Sequence, residues 1–195
     1  MELNTPVTLH GERVTLSLLD AADTDALAGA AADGDLWKLW YTSVPRPDAV
    51  AAEIARRLSL HAAGSMLPFT IRRNDTGAVC GMTTFMHIDA AHRRLEIGST
   101  WLAHSAQRTG INGEAKLLLL THAFETLDCI AVEFRTNYLN LQSRTAIARL
   151  GARQDGILRN HQRTPEGLLR DTVVFSIIES EWPSVKRHLA FGLTH

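Results

Sequence analysis

The sequence predicts an α/β fold, a mixed and mostly antiparallel sheet flanked by helices, and three observations predict it. Strand-like and helix-like segments follow one another in the order β-αα-βββ-α-β-α-ββ. Asn74-Asp75-Thr76-Gly77 and Pro165-Glu166-Gly167 are turn signals, each set between two strand patterns. The 195 residues are 45% apolar and 21% charged, the balance of one soluble domain with a core of its own.

Residues 7–19 contain Val14-Thr15-Leu16-Ser17-Leu18, an alternating strand, after a turn at His10-Gly11-Glu12. Asp20 and Asp23 are N-caps for an alanine-rich helix reaching about Gly34. The aromatic segment Trp37-Lys38-Leu39-Trp40-Tyr41 comes next. Pro47-Asp48 opens a second helix over 49–61, with Ile54 and Leu58 on one face and Arg56 and Arg57 off it. Phe69-Thr70-Ile71 is a strand, 78–88 is the next, and Arg94–Leu102 is a third, succeeded by a polar loop over 103–109. The apolar run 116–127, opened by Asn112-Gly113-Glu114, reads as a helix wet only at Lys116, Thr121, His122, Glu125 and Thr126. Residues 130–135 alternate as a strand. Asn140 caps a helix through Leu150, with Gly151 in the C′ position. Residues 157–159 and 172–178 form a last strand pair, and 180–189 closes as a helix.

Charge and composition exclude several function classes. Twenty basic against 21 acidic residues leave a net charge of −1, without the basic excess that phosphate neutralisation requires, so no nucleic-acid partner is expected. No stretch approaches the roughly 18 apolar residues of a membrane span. The start at Met1-Glu2 carries an acid and no basic segment, so no signal peptide is expected. Cys80 and Cys129 lack C-x-x-C spacing and read as buried, reduced thiols of a cytoplasmic protein. The histidines, His195 among them, form no H-x₃-H or HExxH pattern, so no metal is expected.

The informative stretch is the strand Arg94–Leu102 together with the loop and helix after it. Gln107-Arg108-Thr109-Gly110-Ile111-Asn112-Gly113 delivers two glycines to a helix N-terminus. Glycines permit close backbone approach, and the orphan amides with the helix dipole favour an anion. The loop is neither a Walker A nor a G-x-G-x-x-G motif. Its order with Asn140-Leu141-Gln142-Ser143, Ala148-Arg149-Leu150-Gly151-Ala152 and Asp155-Gly156-Ile157-Leu158-Arg159 resembles the GNAT superfamily of acetyl-CoA-dependent N-acetyltransferases, RimJ/RimL-type. The resemblance runs over nearly the whole chain and is densest from Glu96 to Ile178. The family's Q/R-x-x-G-x-G/A motif is met at Gln107 and Gly110; Asn112 departs from it, and Gly113 stands one position late.

The resemblance implies a GNAT-like sheet with a splayed central strand pair, a V between residues 96–102 and 132–135 that takes acetyl-CoA as cosubstrate. Pantetheine would pair with the main chain near Trp101, Leu102 and Ala103. The diphosphate would sit on the amides of Arg108, Thr109, Gly110, Ile111, Asn112 and Gly113, with Gln107, Asn140 and Ser143 nearby and Arg108 and Arg144 adding charge. The family reaction is direct attack of a neutral amine on the thioester. One group must take the ammonium proton, another must stabilise the oxyanion, and a third must protonate the thiolate.

Backbone amides of the splayed strand suit the oxyanion. Ser143 and Tyr138 are alternative donors to the thiolate, and Ser143 is also placed as a helix cap. Glu96, His161 or a water is the base. Strict alternation puts Glu96 on one face with Gly98 and Thr100, opposite Ile97 and Trp101; its other reading is a structural carboxylate paired with Arg94 or another base. The glutamate that RimL-type enzymes carry beyond the Gly156-like glycine is replaced by Asn160-His161-Gln162, where His161 is the candidate replacement. The segment 37–41 either walls in an acceptor or belongs to the core or a dimer contact. The expected function is N-acetyl transfer to a primary amine, on a protein N-terminus or a small molecule. A catalytically weak acyl-CoA-binding module is the alternative, and the sequence leaves a homodimer open.

Overall fold

The computed structural model describes residues 3–42, 44–164 and 166–194; Met1, Glu2, Pro165 and His195, which enter the expectations above, lie outside them. One sheet of eight strands has the order β1-β2-β3-β4-β5-β6-β8-β7. The strands are β1 Leu9–His10, β2 Val14–Leu18, β3 Met66–Arg73, β4 Val79–Asp89, β5 Arg94–Leu102, β6 Ala131–Asn137, β7 Arg153–Arg163 and β8 Leu169–Ile178. Neighbours are antiparallel everywhere except β5–β6, which gives the mixed sheet the sequence predicts. The helices are α1 Thr24–Ala32, α2 Val50–Ala62, α3 Ile111–Thr121, α4 Leu141–Arg149 and α5 Trp182–Thr194. None is long and apolar enough to cross a membrane among the described residues.

Local chemistry explains most of the boundaries. Asp20 accepts from the Ala22 amide at 2.8 Å and starts the first helical turn. Asp23 makes no cap: it is buried and bonded to Thr70 and Arg72, which ties the start of α1 to β3. Helix α3 begins at Ile111, earlier than the apolar run suggests, because Gly110 supplies a left-handed turn at φ +84° directly before it. It continues as a π-helical turn over His122–Thr126. Asn140 Oδ1 accepts from the Ser143 amide at 3.0 Å and Gly151 takes φ +93°, so α4 is closed at both ends as its sequence specifies. Cys80 and Cys129 are free and buried, and burial pushes both thiols up to about 11.

Thr83 and Thr84 are consecutive in β4 and face opposite sides of the sheet. Lys116 of α3 donates to Thr83 Oγ1 at 3.2 Å and Arg57 of α2 donates to Thr84 Oγ1 at 2.7 Å, so α2 and α3 cover opposite faces. On the α3 face, Phe69 and Phe85 meet edge to face at 5.6 Å, and Phe85 stacks on His122 at 6.2 Å. Both cations overturn their predicted surface positions: Arg57 is 1% exposed and Lys116 5%. Hydropathy patterns place long cationic side chains outside; here each reaches through the apolar layer to a threonine of the sheet. Two threonine hydroxyls are the hydrogen-bond partners of Lys116, and burial pushes its ammonium down to about 7.

Glu114, in the first turn of α3, is buried and accepts from three consecutive amides, Glu12 at 3.0 Å, Arg13 at 2.7 Å and Val14 at 2.8 Å. It fastens the start of β2 to the start of α3. Glu114→Ala would leave those donors without their acceptor and is expected to cost about 3 kcal/mol, read from denaturant midpoints; a loss below about 1 kcal/mol would contradict the assignment. Lys116 gives a pH signature. Between about pH 7 and about pH 10 the unfolded chain holds the Lys116 proton and the folded chain does not, so this residue makes stability rise with pH across that window. Lys116→Met is expected to flatten that rise relative to the parent protein, and parallel stability curves would contradict it.

Candidate active site

Strands β5 and β6 pair at three rows, Arg94↔Ala131, Leu95↔Val132 and Glu96↔Glu133. Beyond them β5 runs on to Leu102 and β6 to Asn137 without pairing, so the strands open into the predicted V with Glu96 at its fork. The cause lies in β5. Thr84 opposes Gly98 and Met82 opposes Trp101, which sets both Ser99 and Thr100 against Thr83 alone. This is a β-bulge, one extra residue that bends its strand away from regular pairing. Ser99 adopts φ +47°, a left-handed conformation that costs a non-glycine residue about 1–2 kcal/mol.

The bulge also reverses side-chain alternation. Glu96 and Gly98 share a face as predicted: a Cβ on Gly98 would lie 2.7 Å from Glu96 Oε1. Thr100, however, is on the α3 face, bonded to Thr83 Oγ1 at 2.8 Å and to Lys116 Nζ at 2.7 Å. Trp101, opposite Met82, returns to the Glu96 face. Both assignments reverse the expectation, because strict period-2 counting runs straight through the extra residue.

Glu96 is 4% exposed. Its Oε2 meets His87 Nδ1 at 2.8 Å and Arg135 Nε at 3.4 Å, so its basic partners are these two and not Arg94, which pairs with Glu133. The His87 side chain is 57% exposed, so it connects the buried carboxylate to solvent. These side chains, with Asp89 and Leu95, line a cavity of about 170 Å³ at the closed end of the V. Arg170 of β8 is half-buried and its Nε has no hydrogen-bond partner among the described residues. Burial pushes its guanidinium down, and the Glu96 carboxylate acts on it in the opposite sense.

His161 does not join Glu96. It is exposed on β7, with Nδ1 3.1 Å from Thr172 Oγ1. Glu96 aligns through Glu133 with Ser176, so its row lies four residues along β8 from Thr172, about 13 Å. The two candidate bases are therefore separate alternatives, and Glu96 is the one at the fork.

The glycine loop keeps an open helix end. Gly110 is the N-cap of α3 and no side chain caps it, which leaves the first amides of the helix facing outward. Gln107 turns inward, with Nε2 donating to Leu102 O at 3.2 Å, and Thr109 Oγ1 donates to Ala106 O at 2.7 Å. Arg108 is exposed with φ +62°. Arg13 adds a cation that the local sequence does not announce: its side chain lies 3.5 Å from where a Gly110 Cβ would be, and Nη2 donates to Leu193 O at 3.1 Å. Asn112 Oδ1 and Trp101 Nε1 are buried without hydrogen-bond partners among the described residues. A helix N-terminus without a side-chain cap, with Arg13 and Arg108 at its start, fits the diphosphate of coenzyme A.

Tyr138, Asn140, Ser143 and Arg144 are gathered where β6 passes into α4. Arg144 lies over the Tyr138 ring at 4.9 Å and donates from Nη1 to Tyr138 O at 3.1 Å. Asn140 is occupied by its cap on Ser143, whose hydroxyl makes no hydrogen bond among the described residues. The aromatic segment is not core. Trp37 and Tyr41 are half-buried and Trp40 is 59% exposed; Trp37 stands between Lys38 at 5.2 Å and Arg46 at 4.8 Å. Its start is fixed beside the end of β5, where the His104 amide donates to Asp33 O at 3.2 Å.

His87, Arg135, Arg170 and Arg13 escaped sequence reasoning. Each comes from a strand other than β5 or from the turn before β2, and only the three-dimensional pairing brings them to the fork or the loop.

The acetyltransferase (GNAT) domain family matches residues 13–153. YdaF of Bacillus subtilis is 32% identical over 110 residues, 56% of this chain, and the match spans 59% of YdaF's own length. A GCN5-related N-acetyltransferase from Brucella melitensis superposes with a TM-score of 0.87 at 30% identity, covering 96% of this chain and 86% of that one. Mycobacterium smegmatis RimJ, solved with CoA-disulfide, shares the fold at a TM-score of 0.82 and 24% identity, over 98% and 97% of the two chains. The forked sheet is thus matched by sequence and by shape, and the chain belongs to the GNAT acetyltransferase family.

Proposed function

We propose that this protein moves an acetyl group from acetyl-CoA to a primary amine, on a protein N-terminus or a small molecule, by direct attack on the thioester. The observation that carries the reading is the position of Glu96, a buried carboxylate at the fork of an unpaired strand pair, bonded to an exposed histidine. Acetyl-CoA supplies the activated acyl group. The chain supplies the rest. Outward amides at the start of α3 hold the diphosphate, with Arg13 and Arg108 beside them. Main-chain N–H groups of β5 beyond Glu96, released from pairing with β6, serve the oxyanion.

Glu96 takes the proton of the incoming ammonium, and His87 passes it to solvent through the ring nitrogen that does not face Glu96. Ser143 or Tyr138, at the other lip of the V, protonates the thiolate. YdaF carries the name ribosomal N-acetyltransferase, which supports testing peptide N-termini first. A binding module without turnover drew its case from Asn112 in the loop motif and from the missing glutamate near His161; Glu96 offers a carboxylate that answers the second of these.

The test monitors free thiol during incubation with acetyl-CoA and an amine panel of Ser- and Ala-started peptides and polyamines. Amine-dependent release is expected from the parent protein. Glu96→Gln should lower kcat by about 10²-fold or more while leaving coenzyme affinity in place, and His87→Gln should lower it less. Saturable CoA binding with no amine-dependent release across the panel, or an unchanged kcat in Glu96→Gln, would overturn the proposal.

A further inference from the structure

We infer that Arg57 and Lys116 are positioning residues: two buried basic side chains, one on each face of the sheet, clamp the β5 bulge that keeps the V open. The inference rests on the V being the acetyl-CoA site. A bulge leaves its extra residue outside the regular ladder, and the freed backbone groups need partners. Arg57 provides one. Its Nη2 donates to Ser99 O at 3.1 Å, its Nη1 to Thr84 Oγ1 at 2.7 Å and its Nε to Glu53 Oε1 at 2.7 Å. The planar fork is committed along its whole edge, to the bulged residue, to the facing strand and to its own helix.

Lys116 holds the same place from behind. Its Nζ donates to Thr100 Oγ1 at 2.7 Å and to Thr83 Oγ1 at 3.2 Å, and the two hydroxyls are 2.8 Å apart. The triangle joins the second residue of the bulge to the single residue it faces. Thr83 and Thr84 of β4, with Ser99 and Thr100 of β5, are therefore gripped from both sides of the sheet.

Stability alone does not call for this arrangement. Well-packed apolar side chains of similar volume would fill the two sites without the desolvation of two ionisable groups. What these basic side chains add is direction, since each bonds to named atoms on both strands. Lys116 also lies on the helix whose first turn forms the diphosphate cradle. It thereby fixes the spacing between that cradle and the main-chain amides beyond Ser99, the two ends of the coenzyme's bound arm.

The test uses the full chain without ligand first. In Lys116→Met and in Thr100→Val, amide hydrogen exchange at Ser99, Thr100 and Trp101 is expected to rise at least ten-fold, while Val173 and Phe175 in β8 exchange at the parent rate. Arg57→Lys keeps the charge but cannot span three acceptors, so it is expected to loosen the same amides. Calorimetry should then show CoA binding weakened about ten-fold in all three, and kcat should fall further than KM rises. A merely structural role predicts faster exchange throughout and unchanged affinity. Parent-like exchange at residues 99–101 in folded variants, or faster exchange there with parent-like CoA affinity and kcat, would overturn the inference. Thr100→Val removes one acceptor at near-constant volume and decides the matter should either cation variant fail to fold. If the parent protein bound no CoA, the proposed function would fall, and the exchange comparison would still decide the clamp.

Discussion

The extra residue at Ser99–Thr100 is the constraint on which the remaining geometry depends. It ends β5–β6 pairing after three rows, turns side-chain alternation over, and sends Thr100 to one face and Trp101 to the other. Without it β5 and β6 would continue as an ordinary parallel ladder, and no main-chain groups would be free for a ligand lying between them. Glu96 is at the last paired row, so the same feature that opens the cleft also sets the carboxylate at its base.

Among the described residues, five charged side chains are buried: Asp23, Arg57, Glu96, Glu114 and Lys116. Each binds across elements. Asp23 joins the start of α1 to β3, Glu114 joins α3 to β2, and Arg57 and Lys116 join α2 and α3 to the bulge. Glu96 joins β5 to β4 and β6 through His87 and Arg135. A core made only of aliphatic contacts tolerates sliding between layers. These bonds do not, and those of Arg57, Glu96, Glu114 and Lys116 lie along the stretch from the α3 start to the fork.

The legible part of the sequence was local. Arg94–Leu102 carries its strand pattern and bounds without help from elsewhere, Asn140 and Gly151 mark both ends of α4, and Asn74–Gly77 closes a hairpin whose Arg73 amide reaches Ala78 O at 2.9 Å. The glycine loop ahead of α3 was readable for the same reason, since Gly110 must be left-handed to begin the helix. The hidden part was set by tertiary partners. Arg57 and Lys116 look like surface residues because periodicity records hydropathy and not the presence of a threonine to bond. Thr100 was misplaced because a bulge has no composition of its own. Of the readings open for the segment around Trp37, an acceptor wall, the core or a dimer contact, burial removes the core: Trp40 is exposed and Trp37 lies against its own Lys38 and Arg46.

One structure determination bears on all of these features together. Crystals grown with coenzyme A are expected to show the pantetheine arm between β5 and β6, its diphosphate on the amides that open α3, and its sulfur near Ser143 or Tyr138. Coenzyme bound anywhere else on the molecule, or β5 and β6 zipped together beyond Glu96 beneath it, would contradict the account.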